Sequence, residues 1–294
     1  MNSFTCPRCK TKLEVSLDKA RCPQDGLIFR RADGIWRFLL PERESHYARF
    51  IADYETIRRF EKRGSPDSNY YRALPFKDLS GNFTADWKIR AASYRRLKSL
   101  LGSPQQILDM GAGNGWLSNR LSALGHEVTA VDLLVNPEDG LGVWKNYENS
   151  FTPIQSEFTR LPIPDQSVSV IIYNASFHYS ENYEETLAEA LRVLSPFGKI
   201  AIMDSPVYRN AGSGAQMVAE RKANFLSRYG FASDSIESEN YFTYSRMKEL
   251  GDKLSIHWEH IRPFYGFRWV ARPWLANLRG HREPAEFGLW VGVR

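Results

Sequence analysis

Three glycines in five positions, within the run Asp109-Met110-Gly111-Ala112-Gly113-Asn114-Gly115, sit between an apolar segment at 107–110 and a helical stretch at 117–124. Glycine adopts left-handed turns and lets a backbone approach a ligand, so strand, glycine loop and helix in that order open a nucleotide-binding α/β unit. The chain downstream keeps the alternation. Runs at 127–132, 168–173 and 199–204 have strand character, a helix is predicted over 183–194, Pro196-Phe197-Gly198 reads as a turn, and 287–293 reads as a terminal strand. Strands alternating with helices predict an α/β, Rossmann-like parallel sheet flanked by helices.

The flanks read differently. Between 41 and 104, Tyr47, Phe50, Ile51, Tyr54 and Ile57, then Trp87, Ala91, Tyr94, Leu97 and Leu101, recur at helical spacing. Helices are therefore predicted on either side of the turn Gly64-Ser65-Pro66-Asp67. The basic cluster Arg58, Arg59, Lys62 and Arg63 reads as a solvated helix face. After Asp204 a polar loop at 210–214 precedes helices over 216–229 and 244–254 and an aromatic segment through Trp274. That segment (Trp258, Phe264, Tyr265, Phe267, Trp269, Trp274) could wall a planar pocket or simply fill a core.

The loop spacing separates two ligands. A dinucleotide site wants G-x-G-x-x-G, with a pyrophosphate on the helix N-terminus. Here the third glycine comes one residue early, position 116 is Trp, and Asp109 precedes the loop. A carboxylate there repels a pyrophosphate and suits the ammonium group of S-adenosylmethionine, directly or through water. Asp132, ending the next strand, can accept both hydroxyls of a ribose.

With those residues in place, 105–205 resembles a class I S-adenosylmethionine-dependent methyltransferase. Ile154-Gln155-Ser156-Glu157-Phe158 and Leu161-Pro162-Ile163-Pro164-Asp165 are similar to that family's segment before strand four. Tyr173-Asn174-Ala175-Ser176-Phe177-His178 is similar to its motif after strand four, and Leu191 to Lys199 to its turn into strand five. The resemblance implies a seven-stranded methyltransferase sheet. It also implies that Gly111, Ala112, Gly113 and Gly115 line the methionine and ribose portion of the cofactor, with Asp132 and Leu133 at the ribose. Glu157 would face the adenine amine, with Phe158 beside the ring, and Asn174 and Ala175 would meet the amino acid end.

His178 lies four positions past Asn174, at the sheet edge where open α/β folds bind ligands, and is the candidate general base. Asp204 and Tyr208 point to the same edge. Several chemistries are excluded: all three cysteines (Cys6, Cys9, Cys22) lie far from the core, which leaves no thiol for a cytosine adduct or for metalloid methylation. The Asn/Asp-Pro-Pro-aromatic motif of exocyclic amine methylation is replaced by Asn174-Ala175-Ser176-Phe177.

Cys6, Cys9, Cys22 and Asp25 form C-x2-C-x12-C-x2-D, the shape of a zinc ribbon with a carboxylate as fourth ligand. The alternative is a knuckle folded without metal. A ribbon ahead of such a core resembles the zinc-ribbon ribosomal-RNA guanine-N1 methyltransferases. It equally resembles the short ribbon, closing at Asp33-Gly34-Ile35, that precedes methyltransferases of the quinone and small-molecule group. A small-molecule acceptor ranks first, ribosomal RNA second, and a non-catalytic cofactor-binding scaffold last. The expected division is a ribbon-like segment at 1–40, a helical cap at 41–104, and a methyltransferase domain at 105–294 with acceptor-side elements in 206–280.

No apolar run is long enough to span a bilayer, and the start lacks a signal-peptide pattern. A cytoplasmic protein with no membrane partner is expected. Charge is unevenly spread: residues 1–105 carry 21 Lys and Arg against 12 Asp and Glu, 106–205 carry 5 against 13, and 206–294 carry 13 against 9. The acidic third coincides with the site for a cationic cofactor, and the basic thirds flank it.

Overall fold

The computed structural model describes residues 3–294. Its first strands are β1 (Glu14–Val15), β2 (Lys19–Arg21), β3 (Ile28–Ala32) and β4 (Ile35–Arg37). They form an antiparallel ribbon. Asp33 and Gly34 turn β3 into β4 with both φ angles positive, as a tight two-residue hairpin requires. Three helices follow: α1 (Pro41–Phe60), α2 (Ser68–Ala73) and α3 (Thr84–Leu100). The core then runs β5 (Gln106–Met110), α4 (Trp116–Ser122), β6 (Glu127–Asp132), β7 (Thr152–Gln155), β8 (Val168–Asn174), α5 (Tyr183–Val193) and β9 (Leu194–Met203). Beyond it come β10 (Val207–Tyr208), α6 (Ala211–Tyr229), β11 (Phe242–Thr243), α7 (Tyr244–Leu254), β12 (His257–Ile261), α8 (Phe267–Leu278) and β13 (Leu289–Val293).

Seven of these strands make the core sheet, in the order β7-β6-β5-β8-β9-β13-β12. The pairings from β7 to β9 are parallel, and β13 runs antiparallel between β9 and β12. The ribbon does not stand apart from this sheet. Trp36 and Arg37 pair in parallel with Ile154 and Gln155, and the Phe38 N–H donates to the Gln155 carbonyl at 2.9 Å. One eleven-stranded sheet results. The reason is apolar surface: Phe4, Phe29, Trp36 and Phe38 stack on one another and are buried in the same core cluster as Ile154 and Val131. Pairing there also covers the open edge of β7.

Other sequence expectations need correction. Residues 211–214 are helical, because the Asn210 side chain caps α6 by accepting from the Gly212 N–H at 2.7 Å. Pro196-Phe197-Gly198 lies inside β9 as a bulge: Phe197 has φ 64, and the β8–β9 register shifts beside it. Part of the aromatic segment is strand β12. Arg58 and Arg63 are not solvated: Arg58 is ion-paired with Asp139, and Arg63 lies 3.5 Å from the Phe83 ring centroid while pairing with Glu61.

Chain reversal between β6 and β8 places β5 at the topological switch point, where a crevice opens beyond the C-terminal strand ends. Helices α1, α3, α6 and α8 all reach that edge through residues that line it. Among the described residues no helix is long and apolar enough to cross a membrane.

Candidate functional site

Two adjoining cavities of about 600 and 550 Å³ occupy the crevice. They share a wall made by the glycine loop (Gly111, Gly113), Ala175, Tyr179 and the α1 residues Tyr54 and Arg58.

The first cavity grows out of the glycine loop. The Gly111 and Ala112 N–H groups both donate to the Val131 carbonyl, at 2.7 and 3.0 Å, which stitches the loop to β6. Gly111 has φ 72, and a Cβ there would lie 2.3 Å from the Ser176 Cβ, so only glycine fits. Asp132 is held rigidly. Its Oδ2 accepts from the Gly113 N–H at 2.7 Å and its Oδ1 from the Leu134 N–H at 2.8 Å. Burial lifts its carboxyl to about 6, against the pull of those backbone donors. Each oxygen keeps a second lone pair for a ligand. Leu133, Glu157 and Phe158 line the same cavity. Glu157 Oε2 accepts from Arg43 Nε at 2.8 Å and from the Tyr47 hydroxyl at 3.1 Å. Its charge is thus balanced by α1 rather than left open to the cavity.

Two predicted residues stand off these walls. Asp109 is completely buried beneath the loop, where its Oδ2 accepts from the Ser118 hydroxyl at 2.7 Å and its Oδ1 has no partner. Burial raises its carboxyl to about 7. It lines neither cavity. Gly115 caps α4 with φ 75 and packs against Phe151 and Tyr147, also away from both. The two positions shape the loop from behind.

The second cavity lies against Asn174, His178, Asp204 and Tyr208, with Ala112 on the loop side. Asn174 Oδ1 and Asp204 Oδ2 are buried acceptors without a donor. Asp204 Oδ1 accepts from Ser93 at 2.5 Å, and burial brings its carboxyl up to about 6. Ala175 and Asp204, at φ 54 and 55, hold left-handed backbone at the ends of β8 and β9. Backbone of this kind concentrates at functional sites. His178 Nδ1 meets the Ser205 hydroxyl at 3.1 Å. Burial, with Arg221 and Arg90 adding to it, pushes the imidazole down to about 3, so the ring is neutral at physiological pH.

Of the two readings of the aromatic segment 258–274, the planar pocket does not form at either cavity. Phe264, Phe267 and Trp274 are exposed, Tyr265 turns to Ser93 at 2.9 Å, and none of the six lines either cavity. Phe50, Tyr54, Trp87 and Tyr179 supply aromatic wall instead. Tyr54, Arg58 and Asp139 escaped sequence reasoning because they matter only as a set, brought together across α1 and the loop after β6. The i, i+4 spacing of Tyr54 and Arg58 was the one available signal.

Near the N-terminus, one donor atom from each of Cys6, Cys9, Cys22 and Asp25 lies within 4.8 Å of the others. Cys9 and Cys22 sulfurs are 3.5 Å apart, and Cys6 Sγ is 3.3 Å from Asp25 Oδ2. Thiolates sharing one zinc at ~2.3 Å stand roughly 3.8 Å apart, so the spacing suits that ion. The two knuckles match. Lys10 N–H returns to the Cys6 carbonyl and Gly26 N–H to the Cys22 carbonyl, at 2.9 and 3.0 Å. Both donors have left-handed backbone, φ 63 and 69. Asp25 therefore occupies in the second knuckle the place Cys9 holds in the first.

The donor set of the main crevice fits a cationic nucleoside cofactor: a glycine cradle, a buried Asp132, and orphan acceptors at the strand ends. Comparison with known proteins agrees. Residues 108–202 match the methyltransferase-domain family. An uncharacterized methyltransferase of Schizosaccharomyces pombe is 38% identical over 160 residues, which are 50% of this chain and 61% of that protein. A malonyl-[acyl-carrier protein] O-methyltransferase of Buchnera aphidicola is 31% identical over 94 residues, 32% of this chain and 37% of that one. The chain thus spans less than two thirds of either relative. The S-adenosylmethionine-dependent methyltransferase of Mesorhizobium loti has the same fold, with a TM-score of 0.50 at 17% identity over 69% of this chain and 98% of that one.

Proposed function

We propose that this chain is an S-adenosylmethionine-dependent methyltransferase that holds the cofactor in the first cavity and a small-molecule acceptor in the second. The observation that carries this reading is the shared wall: the same glycine loop and Ala175 face both chambers, so a cofactor on one side borders whatever fills the other. S-adenosylmethionine supplies an already activated methyl group on a sulfonium. What remains for the protein is to hold and orient, which is worth ~7–11 kcal/mol when two reactants are fixed in line.

In this reading Asp132 accepts the ribose hydroxyls, Gly111 and Gly113 admit the backbone-facing edge of the cofactor, and Phe158 flanks its base. The carboxylate of Glu157 reaches the adenine amine after sharing its charge with Arg43. His178 acts on the acceptor. With Ser205 accepting the Nδ1 proton, Nε2 keeps its lone pair and takes the acceptor's proton. Enclosure by α1, α3, α6 and α8 suits a small molecule. We further propose a structural zinc held by Cys6, Cys9, Cys22 and Asp25, with no open coordination position.

Calorimetric titration of the full chain with S-adenosylmethionine tests the reading. Binding heat is expected from the intact protein, and Gly111→Val, whose side chain would collide with Ser176, should abolish it. Absence of heat from the intact protein ends the methyltransferase assignment.

A further inference from the structure

Six arginines line the second cavity. Three are neutralised: Arg58 by Asp139, Arg63 by Glu61 and Arg282 by Glu220. The other three, Arg90 of α3, Arg221 of α6 and Arg272 of α8, have no carboxylate within ion-pair distance among the described residues. Arg90 rests 5.0 Å from the Trp87 ring centroid and Arg272 3.9 Å from that of Trp269. Arg221 donates once, to Asn240 Oδ1 at 2.7 Å, and its buried Nε has no acceptor. Of the remaining acids of the wall, Asp234 is taken by Lys222, while Asp204, bonded to Ser93 through one oxygen, acts on Arg90 only from beyond ion-pair distance. Guanidinium groups stay charged at any physiological pH, and half-burying three of them beside a common space favours the arrival of a counter-charge.

We propose that the acceptor carries an anionic oxygen group, a carboxylate or a phosphate, seated among Arg90, Arg221 and Arg272. The inference rests on the second cavity being the acceptor chamber. Planar guanidinium forks match such groups with paired N–H donors, and three helices supply one fork each. The arrangement also couples recognition to chemistry. Arg221 and Arg90 are the charges that, with burial, suppress the basicity of His178. An anion between them offsets that field and raises the proton affinity of His178, within the limit that burial sets.

The test uses the full chain saturated with S-adenosylhomocysteine, titrated calorimetrically with benzoate, phenyl phosphate and benzamide. At least one anion should bind roughly 10-fold more tightly than benzamide, and Arg90→Gln, Arg221→Gln and Arg272→Gln should each weaken it by about 5-fold or more. Affinity for S-adenosylhomocysteine should stay within about two-fold in every variant, because none of the three arginines lines the first cavity. The lysine variants should recover part of the loss, and should Arg90→Gln fail to fold, the α6 and α8 variants carry the test. By NMR titration the bound anion should raise the His178 pKa. Equal affinity for benzoate, phenyl phosphate and benzamide, no binding of any, or anion binding untouched by all the replacements overturns the proposal. Failure of S-adenosylhomocysteine to bind overturns the cofactor reading instead, and the two failures are distinguished at the first titration.

Discussion

The two cavities meet at one glycine loop and are assembled in opposite ways. The first sets the glycine loop and the ends of β6 and β7 against α1, where Glu157 meets Arg43 and Asp139 meets Arg58, and keeps Asp132 as a carboxylate held by backbone donors alone. The second gathers residues from α3, α6 and α8 and leaves three guanidiniums outside any ion pair. A wall for a cationic ligand keeps a carboxylate open to it. A wall with unbalanced charge already describes part of what it receives.

Substitutions confined to one chamber should separate these roles. The largest effect belongs to the second: His178→Ala should lower methyl transfer by ~10²–10³-fold while leaving the dissociation constant for S-adenosylmethionine unmoved. Steady-state turnover and calorimetry on the same preparation decide it, and an equal loss in cofactor affinity would dissolve the distinction between chambers. Asp132→Ala, on the first wall alone, should weaken S-adenosylmethionine by ~10²-fold. Anion binding at the arginines should persist, and its loss would mean the two walls form one site.

Asp109 belongs to neither chamber, so its effect should be on stability alone. Its carboxyl is raised from 3.8 to about 7 by burial. Between those values the folded protein keeps a proton that the unfolded chain has released. Stability from this group is therefore complete below pH 3.8 and falls as pH rises through about 7. Asp109→Asn should flatten that slope and gain on the order of 1–2 kcal/mol at pH 8, read by urea unfolding at pH 5 and 8, with both ligand affinities unchanged. Cys22→Ser offers the smallest effect on binding. Elemental analysis should fall from about one zinc per chain to under about half, and S-adenosylmethionine affinity should drop about three-fold, because α1 leaves the ribbon directly and carries part of the first wall.

The same contrast explains what could be read from residue order. Strand, loop and acid ending the next strand are neighbours along the chain, so Gly111, Gly113 and Asp132 were legible from spacing alone. Asp109 looked identical in one dimension to a cofactor acid, yet β5 is buried on both faces from Ile107 on, and its side chain meets Ser118 of α4. His178 was legible as a residue at the sheet edge, while the burial that chiefly keeps it neutral, and the added field of Arg90 and Arg221 from α3 and α6, were not. Arg58 sat in a basic cluster that fits a solvated helix face. Only the folded loop after β6 brings Asp139 to it. The eleven-strand sheet was hidden for a related reason: nothing in Ile35-Trp36-Arg37 names Ile154 as its partner.

That partnership bears on how the protein is made. Trp36 leaves the ribosome long before Ile154, and at 5–20 residues per second the interval is roughly 6–24 s. For that time β4 is an open edge beside Phe4, Phe29 and Phe38, apolar surface whose cover has not yet been synthesised. A metal clamp at Cys6, Cys9, Cys22 and Asp25 needs nothing made after residue 25. The proposed zinc would let the two knuckles close first and wait for the sheet that takes the ribbon in.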